Sequence, residues 1–350
     1  MDKAEIKALA EAVVSGQVRA AARVMRALED ELPWARQVMA LLHPHTGRAQ
    51  LVGITGPPGV GKSTLTSALV RHWRKQGRQV GVVAVDPTSP FSGGAILGDR
   101  LRMQDHATDP GVFIRSLATR GQFGGLAAAA QGVVRVMEAM GKDVVVIETV
   151  GVGQDEVEVV RLADTTVVVT VPGLGDDIQA MKAGLLEVGE ILVVNKTDRE
   201  DAARTIMELE AMVALDEAAA SRRDGWRPVV VGTCALEGKG ISELAEEIDH
   251  HWRFLTADGR RVLQLKRRRR TERELTELIH QGLAQRVGEV LGERLEDAVD
   301  ELLAGKVDPY QKSQELVQLI LQGGGPHAKG EKDLAGQAYQ ATQDIQGNEP

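Results

Sequence analysis

Apolar residues recur at helical spacing through the first part of the chain and stop at a cluster of helix-breaking residues. Ile6, Leu9 and Val13 lie three and four positions apart, as on one face of an amphipathic helix. Residues 43–47 read HPHTG, a composition that favours a break in the chain. The pattern therefore predicts a helical extension over residues 1–45.

From residue 50 onward, short apolar runs alternate with stretches of helical periodicity. Runs that are apolar on both faces are typical of strands in a mostly parallel sheet that helices cover on both sides. We therefore predict an α/β domain with a mostly parallel sheet over residues 46–257. The seven candidate strands read QLVGIT, QVGVVAVD, GVFIRSL, DVVVIET, DTTVVVTV, EILVVN and PVVVGT.

The chain after residue 257 shows helical periodicity only. Helices are predicted over residues 262–303 and 308–321, and the first carries an apolar stripe whose partner is either the same chain or a second subunit. Residues 323–350 are polar and rich in glycine, which is typical of a flexible tail. We therefore predict a helical arm over residues 258–322, followed by that tail.

Charge and cysteine content exclude several classes of protein. The 350 residues carry a net charge of -8, and nucleic-acid binding depends on clustered Lys and Arg, so we expect no nucleic-acid partner. The single cysteine, Cys234, allows no intramolecular disulfide, which fits a reducing compartment. No apolar stretch approaches the roughly 20 residues that span a bilayer, and the N-terminus lacks the apolar core of a signal peptide. We therefore expect a cytoplasmic protein without a membrane partner.

A local exception to the acidic balance is the run KRRRR at residues 266–270. Glu272, Glu274 and Glu277 follow it within the same predicted helix. Opposite charges four positions apart on a helix form ion pairs that stabilise the helix modestly. We therefore predict a solvated helix face with internal ion pairs, and the alternative is a surface for an anionic partner.

The sequence GPPGVGKS at residues 56–63 follows a candidate strand and precedes a helical stretch, the context that the phosphate-binding motif G-x4-G-K-[ST] requires. Its glycines let backbone N–H groups face a phosphate, and the positive end of the following helix adds to the attraction. The two prolines have no N–H, so the donors begin at Gly59. We expect Lys62 to bridge the β- and γ-phosphates and Ser63 to bind Mg²⁺. The candidate nucleotide-binding residues of this motif are Gly59, Val60, Gly61, Lys62, Ser63 and Thr64.

A second motif, NKTD at residues 195–198, follows a candidate strand at the edge of the sheet where ligands of open α/β sheets bind. A carboxylate only accepts hydrogen bonds, so Asp198 can pair with N1–H and the 2-amino group of guanine but has no such donors to meet on adenine. We expect Asn195 to support the loop near N7 of the base and the stem of Lys196 to cover a ring face. The segment that suits a backbone contact to guanine O6 consists of Thr233, Cys234 and Ala235.

Acidic residues between these two motifs are candidates for a metal site. Asp86 and Glu148 each close a candidate strand. Mg²⁺ prefers oxygen ligands and needs few protein carboxylates besides the P-loop hydroxyl and the phosphates. We therefore predict that Asp86 and Glu148 join Ser63 around Mg²⁺, directly or through water, and that the amide of Gly151 contacts the γ-phosphate. The alternative for each acid is a helix cap or a solvated loop residue.

Phosphoryl transfer depends on positioning and charge neutralisation, so a residue that aligns the attacking water is expected. Asp99 and Gln154 are the candidates for this role. Arg100, Arg115 and Arg120 are candidates for an arginine that stabilises the transition state, and each is equally explained as surface charge. We predict slow intrinsic hydrolysis that a partner accelerates.

Together these motifs resemble the methylmalonyl-CoA mutase-associated GTPase family, of the MeaB or ArgK type, from about residue 10 to residue 320. The family belongs to the SIMIBI branch of P-loop GTPases, in which E-x-x-G replaces the D-x-x-G of Ras-like proteins, as it does at Glu148 and Gly151 here. The motifs that carry the resemblance are GITGPPGVGKST, VAVDPTSP, GGAILGDRLRM, TRGQFGGL, ETVGVGQ, VPGLGDDIQAMKAG and NKTD.

The resemblance implies a P-loop GTPase fold that binds GTP, GDP and Mg²⁺, and a homodimer formed through residues 262–321. Its partner would be an adenosylcobalamin-dependent acyl-CoA mutase, whose cofactor loading GTP gates and which the GTPase protects or reactivates. The phosphate, metal and hydrolysis centre that the resemblance implies consists of Lys62, Ser63, Asp86, Asp99 and Glu148.

The resemblance also implies a third switch at residues 175–182. Its Gln179 and Lys182 would connect the nucleotide state to the mutase surface. From the residues alone this segment is a loop that opens a helix, with Asp176 or Asp177 as the helix cap.

Three other functions compete with a mutase-associated GTPase. A kinase would share the P-loop but needs an adenine pocket, against which NKTD argues. A metal-delivery GTPase of the hydrogenase or urease maturation kind needs clustered His or Cys. The close His pairs are His43 with His45 and His250 with His251, and the latter two point about 100° apart on a helix. The third is a regulatory adaptor whose nucleotide turnover is incidental.

Overall fold

Helices and strands are described, in a computed structural model of the protein, for the following residues: 1–87, 104–106, 108–119, 125–149, 162–173, 189–215, 225–257 and 260–321. The chain divides into two compact units, Met1–Leu275 and Thr276–Pro350. The division falls inside a helix, and the domain boundaries drawn from the sequence stay predictions.

Seven strands form one sheet in the first unit, in the order β3-β2-β4-β1-β5-β6-β7. Each neighbouring pair is parallel, so the predicted α/β class with a mostly parallel sheet is confirmed. All seven candidate strands are present: β1 (Gln50–Thr55), β2 (Val80–Pro87), β3 (Val112–Thr119), β4 (Val144–Thr149), β5 (Thr165–Thr170), β6 (Ile191–Asn195) and β7 (Val229–Thr233).

Ten α-helices and two short 3₁₀ helices are described in the same residues. None of the described helices is long and apolar enough to cross a membrane. The α-helices are α1 (Lys3–Val14), α2 (Val18–Glu29), α3 (Pro33–Leu42), α4 (Lys62–Lys75), α5 (Gly125–Ala139), α6 (Ala202–Leu215), α7 (Ile241–Thr256), α8 (Arg260–Leu291), α9 (Glu293–Leu303) and α10 (Pro309–Leu321).

Helices cover the sheet on both faces, as strands that are apolar on both faces require. In β4, Val145 and Ile147 belong to a core that includes side chains of α1, α2, α3 and α5. Val144 and Val146 alternate with them along the strand and belong to a second core, which includes side chains of α4 and α7. Complete burial of such a side chain stabilises the fold by about 1.5–3 kcal/mol.

Local caps and one ion pair fix the three N-terminal helices. Asp2 and Glu5 form a capping box at the start of α1, with the Glu5 N–H donating to Asp2 Oδ1 at 2.8 Å and the Asp2 N–H to Glu5 Oε2 at 2.9 Å. Pro33 lies in the first turn of α3, where its missing N–H leaves no helical bond unmade. Arg115 of β3 donates to Glu29 Oε1 of α2 at 2.9 and 2.6 Å. This pairing favours a structural role for Arg115 over a role in the transition state.

A glycine divides the helix that the sequence predicts over residues 262–303. The helix α8 ends at Leu291 and α9 begins after Gly292, whose φ is 38° and ψ is -122°. These angles are not helical, and glycine adopts a positive φ more readily than other residues. The prediction of one continuous helix is therefore wrong. Within the second unit, the large apolar side chains that are exposed on described helices are Leu278, Ile279, Leu283, Leu295, Val299, Leu303, Tyr310, Val317 and Leu321.

The basic run at the start of α8 is only partly a solvated face. Arg268 pairs with Glu272 at 2.9 Å, as the four-residue spacing predicts. Lys266 instead donates to Glu190 Oε1 at 2.7 Å, and Arg270 donates to the carbonyl oxygen of Leu162 at 2.5 Å. The predicted solvated face is therefore wrong for Lys266 and Arg270, because polar groups that precede β5 and β6 need hydrogen-bond donors.

A buried histidine of α7, His251, lies near the ion pair between Lys266 and Glu190. His251 is 1% exposed, its Nδ1 lies 2.8 Å from Thr165 Oγ1, and its ring packs on Trp226 with centroids 4.6 Å apart. Burial lowers its pKa to about 4, although the nearby Glu190 acts in the opposite direction and Lys266 and His250 act with the burial. His251 is therefore neutral near pH 7.

The depressed pKa of His251 predicts a loss of stability in mild acid. The unfolded chain binds the proton near pH 6.5 and the folded chain only near pH 4, so unfolding is favoured as the pH falls between these values. We expect the free energy of unfolding to drop by about 3 kcal/mol across this window through this residue. Denaturant unfolding at a series of pH values measures the effect, which His251→Gln should remove.

The matched control is His250→Gln, which changes the exposed neighbour on the same helix, 58% exposed at its side chain. It should leave the pH dependence as in the parent protein. An equal loss of stability in His251→Gln and the parent would contradict the assignment.

Candidate functional site

The two sequence motifs and the acidic strand ends meet at the carboxyl edge of the sheet. The P-loop follows β1, Glu148 lies next to the end of β4, and Asn195 ends β6. Thr233 ends β7 and lies in register with Asn195. Because parallel strands end at the same edge, residues far apart in sequence lie side by side there.

Glycines let the P-loop bend tightly against the sheet. Gly56, Gly59 and Gly61 have φ values of 141°, 78° and 95°, which favour glycine. A Cβ on Gly56 would lie 2.1 Å from the carbonyl oxygen of Val169 in β5. A Cβ on Gly61 would lie 2.6 Å from Nδ2 of Asn195. The loop therefore needs glycine at both positions for space as well as for conformation.

Lys62 and Thr64 lie in the first turn of α4, directly after the loop. Lys62 is buried as a residue, and its ammonium donates to the carbonyl oxygens of Gly56 at 2.6 Å and Pro57 at 3.0 Å. Thr64 is half-buried. These bonds hold a positive charge against the loop whose backbone amides are expected to face a phosphate.

Ser63 and Glu148, two of the predicted metal ligands, are in contact. Ser63 Oγ donates to Glu148 Oε1 at 2.5 Å, and the two residues are 6% and 1% exposed. The backbone of Asp86 lies in β2, which runs parallel to β4, and its side chain lies outside the described part of the chain. A hydroxyl and a carboxylate oxygen at the N-terminus of the P-loop helix are ligands of the kind that Mg²⁺ prefers.

Asn195 connects the P-loop with the segment after β7. Its Nδ2 donates to the carbonyl oxygen of Val60 at 2.8 Å. Its Oδ1 accepts from Thr233 Oγ1 and from the backbone N–H of Ala235, both at 3.1 Å. With 2% of its surface exposed, the amide is fully enclosed. One side chain thus joins the phosphate-binding loop to both loops that are expected to hold the guanine.

The next residues of the motif continue this network. Lys196 has a φ of 62°, and its Nζ donates to the carbonyl oxygen of Gly59 at 2.8 Å. The Thr197 N–H donates to the Thr233 carbonyl oxygen at 3.0 Å. The Cys234 thiol donates to Asp198 Oδ1 at 3.4 Å, and burial raises the pKa of that thiol, which keeps it protonated.

Two contacts near the site involve residues outside any recognised motif, and the sequence analysis did not predict them. A Cβ on Gly240, whose φ is 72°, would lie 2.1 Å from the carbonyl oxygen of Gly232, so this glycine lets the segment after β7 fold back on its strand. Ser67 Oγ of α4 lies 2.9 Å from Nε2 of the buried His106. The spacing EGKG before α7 could have indicated the first, whereas a lone histidine indicates nothing specific.

Several candidates from the sequence lie outside the described residues. They include the water-positioning candidates, the γ-phosphate contact, the third switch and two of the arginines: Asp99, Gln154, Gly151, Asp176, Gln179, Lys182, Arg100 and Arg120.

The His pairs that a metal-delivery protein would use take other roles. His43 and His45 form a 3₁₀ helix before β1, and His250 and His251 both pack on Trp226, with centroids 5.2 and 4.6 Å away. Across the described parts of the chain, no group of three or more His, Cys, Asp or Glu side chains is placed to hold a metal ion.

Comparison with known proteins identifies the family of the chain. The family model described as methylmalonyl Co-A mutase-associated GTPase MeaB matches residues 21–291. A protein of Pyrococcus abyssi that is named as a GTPase is 48% identical over 321 residues, which are 91% of this chain and 98% of that protein. The GTPase ArgK of Escherichia coli is 39% identical over 224 residues, 64% of this chain and 68% of that protein.

Among solved structures, the fold is similar to a crystal structure described as an LAO/AO transport system kinase. The TM-score is 0.66 and the identity 26%, over 92% of this chain and 99% of that chain. The family match, the relatives named as GTPases and the P-loop joined to an NKTD motif agree with one another. The chain therefore belongs to the MeaB family of methylmalonyl-CoA mutase-associated GTPases and is a GTPase.

Proposed function

We propose that this GTPase is a chaperone of an adenosylcobalamin-dependent acyl-CoA mutase of the methylmalonyl-CoA mutase type. It would use GTP to gate cofactor loading and to protect or reactivate the mutase. The family description, which names mutase association, supports the choice of partner. The observation that carries a nucleotide-gated role is the Asn195 amide, which joins the P-loop carbonyl of Val60 to Thr233 and Ala235.

The proposed nucleotide contacts follow from the chemistry of these residues. The Lys62 ammonium would exchange its bonds to loop carbonyls for bonds to phosphate oxygens, which are stronger because both partners are charged. Asp198 would accept hydrogen bonds from guanine, and its thiol contact with Cys234 at 3.4 Å orients the carboxylate. Lys196, tied to Gly59 at 2.8 Å, would cover one face of the base.

The donor set also fits Mg²⁺. Ser63 Oγ and Glu148 Oε1 are within 2.5 Å of each other, so both oxygens can face one small cation, with Asp86 and Asp99 as further candidate ligands. A bound Mg²⁺ neutralises charge on the phosphates during transfer. Asp99 and Gln154 stay the candidates for positioning the water, and Gly151 stays the candidate for sensing the γ-phosphate.

The partner surface and the subunit arrangement belong to the same proposal. Asp176, Gln179 and Lys182 would transmit the nucleotide state to the mutase. The exposed apolar residues of α8, α9 and α10, such as Leu283 and Leu295, support a homodimer formed through the helical arm, because a large apolar patch is commonly an interface. We propose a cytoplasmic location for this complex.

A hydrolysis assay tests the proposal. We expect slow turnover of GTP by the protein alone and an acceleration of about tenfold or more when methylmalonyl-CoA mutase is added, since a partner can complete a phosphoryl-transfer site. The rate of phosphate release from GTP with Mg²⁺ measures the effect across a titration of mutase.

The variant Lys62→Ala separates binding from turnover. It should lose hydrolysis at every mutase concentration while a direct binding assay still detects the mutase. Two results would refute the chaperone role and leave the GTPase assignment intact. One is rapid turnover of GTP by the protein alone. The other is an unchanged rate when mutase is added, together with no detectable binding of the mutase.

A further inference from the structure

A cavity lies near the amino-terminal ends of β1 and β5, whereas the nucleotide motifs lie at the carboxyl edge of the sheet. It has a volume of about 150 Å³ and opens between the 3₁₀ helix before β1, helix α5 and the first turns of α8. Leu51, near the start of β1, and Leu162, which precedes β5, form part of its wall. Because the P-loop follows the other end of β1, this cavity is separate from the nucleotide site.

Among the described residues, three arginines line the cavity, and two of them are already paired. Arg135 forms an ion pair with Glu274. Arg270 donates to the carbonyl oxygen of Leu162 at 2.5 Å and to Asp164 Oδ1 at 3.4 Å. Both guanidinium groups therefore have acceptors within the protein.

The third arginine, Arg267, differs from the other two. Its Nε is buried and has no hydrogen-bond partner, and no ion pair from its guanidinium is found among the described residues. A buried N–H without an acceptor costs about 1–3 kcal/mol. Because this donor lies on the wall of an open cavity, a bound ligand can supply the missing acceptor.

Among the described residues that line the cavity, the acidic side chain is Glu138, and it does not supply that acceptor. Glu138 Oε1 accepts the backbone N–H of Gly47 at 3.0 Å. Burial raises the pKa of Glu138, while the N–H of Gly47 and the charge of Arg270 act in the opposite direction. Arg135 and Arg270 are balanced by Glu274 and Asp164, so the attraction for an anion comes from Arg267.

The other lining residues indicate the size and polarity of the ligand. Three aliphatic side chains of the first unit's core line the cavity: Leu51, Val134 and Leu162. The other described lining residues are His43, Thr46, Gly47, Gln131 and Thr271. A cavity of about 150 Å³ has room for a molecule of the size of benzene. Butyrate has the same number of non-hydrogen atoms as benzene and combines an aliphatic body with one anionic end.

We propose that this cavity binds a small aliphatic monocarboxylate, with Arg267 as the residue that receives the carboxylate. A guanidinium offers parallel N–H donors that match the two oxygens of a carboxylate. Leu51, Val134 and Leu162 would enclose the short chain. The cavity lies at the opposite end of β1 from the P-loop.

Calorimetry with butyrate tests the site, using the full-length protein saturated with GDP. We expect saturable binding by the parent protein and a loss of affinity of about tenfold or more in Arg267→Gln, because a charge-assisted hydrogen bond is removed. The matched control is Arg268→Gln, the same change at the next position, where the side chain is 77% exposed and pairs with Glu272. The control should bind butyrate like the parent.

Two further arms keep the test decisive. Inorganic phosphate is an anion without an aliphatic chain. Titrated under the same conditions, it should bind with a dissociation constant at least about tenfold higher than that of butyrate. Saturation-transfer NMR on the parent protein, which needs no substitution, should show transfer from protein methyl groups to the butyrate chain. Unchanged GDP affinity in Arg267→Gln verifies that the variant is folded.

Each opposite result overturns the proposal. Butyrate that does not bind, or that binds Arg267→Gln as well as the parent, rules out the assigned residue. Phosphate that binds as tightly as butyrate rules out the monocarboxylate class. If Arg267→Gln does not fold, absence of saturation transfer to butyrate in the parent protein is the refuting result.

Discussion

Replacing Asp198 by Asn should lower the affinity for GDP by about 10²- to 10⁴-fold, because two charge-assisted hydrogen bonds to guanine, each contributing about 1.5–3 kcal/mol, are lost. Asparagine also presents an amide N–H₂ toward the base, where guanine itself has donors. Xanthine carries a carbonyl oxygen in place of the 2-amino group, so the variant should gain affinity for XDP. Calorimetry in the presence of Mg²⁺ measures the dissociation constants of GDP, XDP and ADP for the parent protein and the variant.

The control for this experiment is Asp201→Asn, the same chemical change at an exposed residue three positions further along. It should keep the preference for GDP. The parent protein should prefer GDP over ADP by about a hundredfold or more. Equal binding of GDP and ADP by the parent would show that residues 195–198 do not read the base.

Replacing Gly56 by Ala should destabilise the fold by about 2–6 kcal/mol and weaken nucleotide binding. Two costs add. The backbone strain at a positive φ of 141° costs about 1–3 kcal/mol. Overpacking costs about 1–3 kcal/mol more, since the new Cβ would lie 2.1 Å from the carbonyl oxygen of Val169. That oxygen belongs to the backbone of the neighbouring strand and cannot move aside without breaking the sheet. Denaturant unfolding measures the stability and calorimetry the binding of GDP.

Gly59→Ala separates the two costs. Gly59 also has a positive φ, 78°, but a Cβ there would meet nothing within 4 Å. Its replacement should therefore cost only the conformational strain, about 1–2 kcal/mol. If the two variants lost equal stability, the close approach of the P-loop to β5 would be contradicted.

The strands were predictable because their chemistry is local. A run such as VVVIET is apolar on both faces, and in a chain of this length it has few stable places other than a covered sheet. The order of the strands was not predictable in the same way. Pairing of β1 with β4 and β5 is decided by contacts between segments far apart in sequence.

The same distinction applies to the site. The P-loop and NKTD were recognisable because their chemistry depends on short fixed spacings. The bond from Asn195 to the Val60 carbonyl spans 135 residues, so only the fold reveals that one amide serves both loops. The partners of Lys266 and Arg270 in α8 lie before β5 and β6, which is why a prediction from neighbouring glutamates alone was wrong.

The strand order also governs when the protein can fold during its synthesis. The central strand β1 has both of its neighbours, β4 and β5, later in the chain, from Val144 and Thr165 onward. Until the ribosome has made them, a strand that is apolar on both faces and carries the P-loop lacks its sheet partners. Parallel pairings of this separation form slowly and expose aggregation-prone edges. A nascent chain halted before Val144 therefore leaves β1 without a sheet partner. We expect such a chain to bind cellular chaperones, although the mature protein is itself proposed to protect another enzyme.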